Sequence, residues 1–565
     1  MIQFAWVQIS GQNQYNDFKT MSQKINKLGT DFKSLCSVKS LVKTAGDKDI
    51  RVITIGTGDK DNKPGIAILG GIEGSSLLGE ELALGFAENI LNESGNQDVK
   101  NLLNSLTFYI FPDVNPDATE QFFTGLKYER TVNARSTDDD RDFKTDEDGF
   151  EDLNNDGLIT VIRITDPTGT LIESDEDKRI LIPADLSKGQ MGIYRIYSEG
   201  IDNDKDGNFN EDGSGGVSFN KNFTCNYEEY GLNAGLHAVS EPETKAVADF
   251  LYDHFNIYAT FAFGPQDNLG LPARASERQV AGPAAVLGQI RAQGQFQAQA
   301  QDMGGRVPGG GGGGGGRAQG DRRITSVMST DETINRLVAE KYREITGMKG
   351  SPVTTSVPGN FMDWAYYHYG RYSFSTPGWW ISAERGKSAE ATFLKYADAK
   401  KIADVFVPWT EIKHPDFPDK KVEVGGIKPF AMSNPPLDTL NYLISKNYKF
   451  ITAIAAMHPE LEFLDAKVEN VGENIFRITM KVHNKGIFAT CAEVGDNNQW
   501  TRIMRISLEP AAGQTFLSGQ KVQRIQRLEG DKSAEFSWLV SGKGIIKCTA
   551  GALNVGTIAT SLELK

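Results

Sequence analysis

The chain has 565 residues, 39% of them apolar and 24% charged, and a formal net charge of −14. This is the composition of an ordinary soluble protein, long enough for several domains and able to bury a large core. The acidic balance argues against a nucleic-acid partner, because phosphate binding needs clustered Lys and Arg. No run approaches the ~20 apolar residues of a membrane span. Met1 to Ile9 is apolar but short and lacks a basic n-region, so it is not a complete signal peptide and matches only the tail of one. The charge is uneven. Ten acidic residues lie between Asp138 and Asp156, and five more between Asp202 and Asp212. Nearly all of the excess sits in these two stretches, which therefore need a local explanation.

Phe18, Met21, Ile25 and Leu28 stand at helical spacing and predict an amphipathic helix. Val52 to Ile55 is a β-branched run stopped by Gly56, and reads as a strand. Ile66 to Leu69 is a buried strand that ends in Gly70-Gly71, crosses a turn and enters a helix marked by Leu78, Leu82, Phe86 and Ile90. Leu106 to Phe111 is a third strand. Ser240-Glu241-Pro242-Glu243 has the pattern of a capping box and opens a helix running to about Phe255. Ile257 to Phe263 is another buried strand. Ile334, Leu337, Val338, Tyr342 and Ile345 mark a helix stopped by Gly347. Strands alternating with helices in this way predict an α/β domain over residues 1–455, with a mixed, mostly parallel sheet flanked by helices. Ligands of such sheets collect at the carboxyl ends of the strands, which directs attention to the turn after Leu69.

Two insertions interrupt this domain. Residues 138–216 are acidic and rich in Gly and Asn. Residues 273–325 are low-complexity Gln, Ala, Arg and Gly, too poor in apolar surface to offset ordering entropy, and read as a surface loop without fixed structure. From residue 456 the pattern changes. Phe476, Ile478, Met480 and Val482 alternate, and further short strands follow around Ile506, Val522, Phe536 and Ile545. They predict an Ig-like β-sandwich over 456–565. Cys36, Cys225, Cys491 and Cys548 have no metal-type spacing. Cys491 and Cys548 either pair in an oxidising compartment or stand as two buried thiols.

Several stretches resemble the carboxypeptidase A-like metallocarboxypeptidases, over about residues 15–430. Gly70-Gly71-Ile72-Glu73-Gly74-Ser75-Ser76 resembles the turn that carries two zinc ligands in that family, a His and a Glu; here those places hold Glu73 and Ser76. The spacing from Ser240 to Gly264 is similar to the approach to the third ligand, a His, and that place falls on Gly264. Asn360 to Tyr366 with Tyr372 to Gly378 is similar to the segment carrying the general base, and that place falls on Pro377. Val217 to Phe223 resembles the segment whose Asn and Arg hold the substrate's terminal carboxylate; the residues here are Asn220 and Lys221. Arg135 matches the Arg that polarises the scissile carbonyl, and Thr355 stands where a Tyr caps the bound peptide. The resemblance implies a carboxypeptidase fold with its zinc ligands and base replaced. A catalytic zinc site needs three protein ligands and an open position for water, and the water needs a base within reach. Zinc is therefore not expected. Asp267 is the replacement ligand to check, and none of the six histidines pairs with another at ligand spacing.

The acidic blocks suggest another metal. Asp202, Asp204, Asp206 and Asn210 place oxygen at loop positions 1, 3, 5 and 9, with Gly207 at position 6. Asp152, Asn154 and Asp156 with Gly157 repeat the pattern, and Asp138, Asp140, Asp142 and Asp146 suggest a third loop. Such spacing wraps Ca²⁺. None has a carboxylate at position 12, so these are not complete EF-hands.

Three functions follow from these residues. The first is a family member that no longer cleaves but binds a peptide C-terminus, or another carboxylate, through Arg135, Asn220 and Lys221, or serves as a scaffold. The second is an active zinc carboxypeptidase with an atypical metal site. The third is a surface adhesion or assembly module, with the sandwich contacting a protein partner. The resemblance, the sandwich and the calcium loops together suggest export to the periplasm or the cell exterior.

Overall fold

The computed structural model describes residues 14–138, 143–146, 148–205, 207, 209–210, 213, 215–273, 326–354, 357–382 and 387–565. The start of the chain, the low-complexity stretch beyond Ala273, Thr355, Asp140, Asp142 and Asp206 lie outside the described residues.

The central sheet has six strands. In chain order these are β1 (Cys36–Lys43), β2 (Asp49–Ile55), β3 (Gly65–Leu69), β4 (Thr107–Phe111), and, after four short strands described below, β9 (Ile257–Phe263) and β10 (Tyr372–Thr376). Their spatial order is β1-β2-β4-β3-β9-β10. The pairs β4–β3, β3–β9 and β9–β10 are parallel, whereas β1–β2 and β2–β4 are antiparallel. Every residue of β3, β4 and β9 is buried, which is why these strands read as continuous apolar runs.

Successive side chains point to opposite faces. Ile66 and Ile68 face the helices α1 (Phe18–Asp31) and α2 (Leu77–Asn92), together with Ile334 and Val338 of Ser329–Thr346 and Phe450 and Ile454 of Leu437–Ala455. Ala67 and Leu69 face the other side, where Val247 and Leu251 of the helix Pro242–Asp253 pack with Phe219, Phe223 and Trp364. The Ser329–Thr346 helix ends as its sequence predicts, with Gly347 in the left-handed region at φ 76°.

The first insertion is built into a second sheet. Its strands β5 (Val161–Thr165), β6 (Leu171–Glu173), β7 (Leu181–Pro183) and β8 (Tyr194–Ser198) join β11 (Phe406–Ile412) and β12 (Val422–Ile427) in the order β11-β12-β5-β8-β6-β7. Arg163 on β5 crosses to Glu423 on β12 at 2.8 Å.

The C-terminal region forms two four-stranded antiparallel sheets. One is β13 (Leu461–Gly472), β14 (Ile475–Asn484), β18 (Lys532–Ser541) and β16 (Thr515–Ser518). The other is β17 (Val522–Ile525), β15 (Met504–Glu509), β19 (Gly544–Ala552) and β20 (Gly556–Leu564). Phe476, Ile478, Met480 and Val482 point inward as their alternation predicts, against Trp538, Ile506 and Ile546. Phe488, Ala492 and Val494, which leave this sandwich, are buried in the core of the α/β domain.

One expectation is corrected. The capping box does not form: Glu241 rather than Ser240 is the N-cap, with Pro242 following it, and no side chain caps the helix. Glu243 turns instead to Asn133. The cysteines follow the second of their two readings: all four are free and buried, and Cys491 and Cys548 stand as two buried thiols. Cys548 Sγ lies 3.4 Å from Met480 Sδ inside the sandwich, and burial pushes both thiols up to about 12. No helix among the described residues is long and apolar enough to cross a membrane.

Candidate functional site

The turn after β3 can be made only by glycine. A Cβ on Gly70 would collide with the carbonyls of Gly79 and Pro112, and Gly71 has φ 65° with its open side against Asp113. The turn is closed by Ser76 N–H donating to Glu73 O at 2.9 Å. It is also held from outside. The Ser433 hydroxyl and Asn434 Nδ2 donate to Ser75 O at 2.9 and 2.8 Å, and Leu78 N–H donates to Asn434 Oδ1 at 3.3 Å.

The neighbouring parallel strands end beside it. Gly264 follows β9, and its N–H donates to Thr376 O at 3.1 Å, immediately before Pro377. A Cβ on Gly264 would stand 3.0 Å from Ile72 Cγ2. Glu73, Ser76, Gly264 and Pro377 thus occupy one edge of the sheet, at the carboxyl ends of β3, β9 and β10.

These residues offer one carboxylate, one hydroxyl, one position without a side chain and a proline ring. That set does not fit a catalytic zinc, which takes three protein ligands. Asp267 does not complete it: its carboxylate accepts the N–H groups of Gly270 and Leu271, each at 3.0 Å. The described histidines are used locally, as in His414 Nε2 to Gly200 O at 2.9 Å and His254 stacked on Phe250. Among the described residues, no group of three or more His, Cys, Asp or Glu is arranged to hold a metal ion.

The predicted carboxylate-binding residues are present, but each is already engaged. Arg135 Nη1 donates to Glu241 Oε1 at 2.9 Å. Asn220 donates to Gln266 Oε1 at 2.8 Å and accepts Phe361 N–H at 3.1 Å. Lys221 Nζ donates to Leu232 O at 3.1 Å and is the cation whose field acts on Glu73. Burial pushes the Glu73 carboxyl up to about 7, Lys221 opposing and Glu129 reinforcing the shift. Glu129 also stands at about 7, raised by burial against the hydrogen bond from Phe430 N–H at 2.8 Å.

Behind Arg135, Asn133 Nδ2 donates to both Glu241 Oε2 at 2.9 Å and Glu243 Oε1 at 2.7 Å. Both glutamates are fully buried. Burial pushes Glu243 up to about 7; Asn133 opposes this, while Glu241 and Asp117 reinforce it. The sequence gives no local sign of Glu129. Glu241 and Glu243 carry a signal, but one that reads as helix capping.

Residues 21–378 match the family described as Zinc carboxypeptidase. The chain belongs to that family. Residues 460–563 match a domain of unknown function, DUF8731. Carboxypeptidase B of Astacus astacus is 26% identical over 110 residues, which are 20% of this chain and 35% of that protein. Carboxypeptidase E of Caenorhabditis elegans is 25% identical over 194 residues, 32% of this chain and 39% of that one. The chain thus spans less than half the length of either relative. Among solved structures, thrombin-activatable fibrinolysis inhibitor is similar at 13% identity and a TM-score of 0.38, covering 78% of this chain and 74% of that one. Carboxypeptidase A from Helicoverpa armigera is similar at 14% identity and a TM-score of 0.35, covering 68% and 72%.

The first two acidic loops lie in and beside the second sheet, where Leu153 packs against its core and Phe209 against Tyr197 and Phe417. In the first, Asp152 accepts Asp156 N–H at 3.1 Å and Gly157 N–H at 2.7 Å, and Asn154 Oδ1 accepts Asp156 N–H at 3.0 Å. Asp202 accepts Gly207 N–H at 3.1 Å in the same way. Asp148, fully buried, fastens the second loop by accepting Asn203 N–H at 3.1 Å and Asn210 N–H at 2.6 Å. Oδ1 of Asp202 and Oδ1 of Asn210 are shielded from solvent and have no hydrogen-bond partner among the described residues. Asp138 accepts Phe143 N–H at 3.0 Å and Asp146 accepts Gly215 N–H at 3.0 Å, so much of the third set is spent on backbone. Asp204 belongs to the second loop, where it acts on the Asp202 carboxyl.

Proposed function

We propose that this member of the zinc carboxypeptidase family binds a peptide end without hydrolysing it. The observation that carries the reading is the set of residues at the edge of the sheet. Glu73, Ser76, Gly264 and Pro377 stand where the family's ligands and base are expected, held by a turn and strand ends that keep the scaffold. Without three ligands no metal lowers the pKa of a water, and Pro377 has no group to accept its proton. Binding needs neither. The cations Arg135 and Lys221 and the Glu73 carboxylate are enough to hold a polar chain end by charge-assisted hydrogen bonds, with Asn220 fixed behind them by Gln266 and Phe361. Fold membership alone does not confer the reaction. Incubating zinc-supplemented protein with peptides of varied C-terminal residue, followed by mass spectrometry, is expected to show no shortening above buffer. Progressive loss of C-terminal residues would establish the active-enzyme alternative.

We also propose that the loops at Asp152–Gly157 and Asp202–Asn210 take Ca²⁺. The orphaned oxygens of Asp202 and Asn210 support this for the second loop, because a hard cation satisfies such oxygens directly. Adding EGTA is expected to lower the thermal midpoint, and excess Ca²⁺ to restore it. Superimposable melts with and without EGTA would remove this proposal.

A further inference from the structure

We propose that the free edge of β17 in the C-terminal sandwich, with Arg524 and Arg505 beside it, docks an extended acidic polypeptide segment of a partner protein, which adds as a further strand. This site lies in the sandwich and is independent of the peptide-end reading of the α/β domain.

The two sheets of the sandwich treat their outward cations differently. In the sheet containing β14, Arg477 stands opposite Glu469, and Lys481 stands opposite Glu535 with Asp465 at 2.7 Å. In the other sheet, Arg505 of β15 stands directly opposite Arg524 of β17. Both arginines are exposed, and on its other side Arg505 faces only Gly551 of β19. Among the described residues, no ion pair or side-chain hydrogen bond reaches either of them. The pairing is also the close kind. Leu508 N–H donates to Lys521 O at 2.9 Å, so that Ile506 with Gln523 and Met504 with Ile525 are hydrogen-bonded pairs and Arg505 with Arg524 is not. Side chains approach most closely in such non-hydrogen-bonded pairs, whose Cα atoms are about 4.5 Å apart. Like charges set directly opposite are destabilising. A ligand carboxylate between the two guanidinium groups relieves that repulsion, because each presents a fork of donors to it.

The same phase leaves a backbone edge. The N–H and C=O groups of Val522 and Arg524 point away from β15, and β17 is the outermost strand of its sheet. Of the other sandwich edges, β13 and β16 carry register breaks that blunt them, and β20 runs beside β13. β17 pairs with β15 without a break. An unpaired row of donors and acceptors takes an extended chain by strand addition. Alternate side chains of that chain fall on the face that carries Arg524 and Arg505. Carboxylates two residues apart therefore reach the arginine pair. The neighbouring positions on this face are small, Ser507 on β15 and Thr549 and Gly551 on β19, and leave room for them. None of these neighbours is an aromatic ring on which the bases of a nucleic-acid strand would stack.

The test is fluorescence anisotropy with labelled peptides blocked at both ends, which offer the α/β domain no chain end to read. Thr-Glu-Val-Glu-Thr-Glu places its acids on one face of a strand, whereas Thr-Val-Thr-Glu-Glu-Glu has the same composition in a block. The chain is expected to bind the alternating peptide about tenfold tighter than the block peptide. Methylating the backbone nitrogens of the alternating peptide should bring it down to the level of the block. Arg505→Gln and Arg524→Gln should each weaken the alternating peptide about fivefold. Their thermal midpoints should be no lower than that of the wild type, because the like-charge pair is relieved. Equal binding of the two isomers, or equal competition by dextran sulfate per charge, would reduce the edge to a general polyanion patch and overturn the proposal. No binding of either peptide, or no effect of either variant, overturns it as well. Self-association of the chain alone, dissolved by Arg524→Gln, would assign the edge to a second copy and overturn the assignment to a partner protein.

Discussion

Phe488→Ala is expected to destabilise the whole chain by about 3–5 kcal/mol, although Phe488 belongs to the C-terminal segment. Its ring is fully buried in the α/β core, 5.0 Å from the Tyr372 ring and 5.8 Å from that of Tyr258, so truncation leaves a cavity between the two units. Polar contacts cross the same junction. Arg527 reaches Asp331 at 3.6 Å, Asp331 accepts Glu493 N–H at 2.8 Å, and Arg371 donates to Trp500 O at 3.2 Å. Arg371 is itself fully buried. Deleting residues 461–565 would strip Arg371 and Asp331 of these partners and expose the floor of the core. That truncation is expected to yield aggregated or molten protein, not a free-standing α/β domain. In chemical denaturation the two units should unfold in one transition, which Phe488→Ala shifts as a whole. Two separate transitions, with only the second moved by the substitution, would show that the junction does not couple them.

The second large effect is on the pH dependence of stability. The folded chain keeps the Glu243 proton up to about 7, whereas the ordinary value is 4.5. Its stabilising contribution is therefore complete below 4.5 and is lost as pH rises through 7. A shift of this size corresponds to something on the order of 3 kcal/mol for a fully buried carboxyl. Asp113, raised to about 7 by burial, and Asp267, raised to about 6 by burial, act in the same direction. The opposite case is Asp166, held well below the ordinary range by the Lys420 and Thr168 hydrogen bonds, whose contribution is lost only in stronger acid. The thermal midpoint should therefore be highest in mild acid, at about pH 5–6, and fall towards pH 8. Glu243→Gln is neutral throughout. It should raise the midpoint at pH 8, leave it nearly unchanged at pH 5, and flatten the decline between them. A variant less stable than wild type at pH 8 would show that the Glu243 charge is compensated in the fold.

The elements legible in the sequence are those whose apolar period is long enough to read alone. Ile66 to Ile90 declares a strand, a turn and a helix, and Phe476 to Val482 declares an inward-facing strand. The second sheet was not legible, for two physical reasons. Strands β6 and β7 have three residues each, too few to show a period, and β5 finds its neighbour β12 more than two hundred residues away. At the candidate site, the places of Glu73, Ser76, Gly264 and Pro377 could be read by resemblance, because each lies within a motif. Their electrostatic surroundings could not. Arg135 and Glu241 are 106 positions apart, and nothing local to either indicates that they pair. The carboxylate-binding expectation took Arg135, Asn220 and Lys221 as available donors. In the folded chain each of them already has a partner.

The central claim is that this carboxypeptidase scaffold no longer assembles a zinc enzyme. Its most direct test is the zinc content of purified protein after incubation with zinc and dialysis, measured alongside C-terminal hydrolysis on the same sample. The residues at the strand ends predict substoichiometric zinc and intact peptides. One zinc per chain accompanied by peptide shortening would contradict the account.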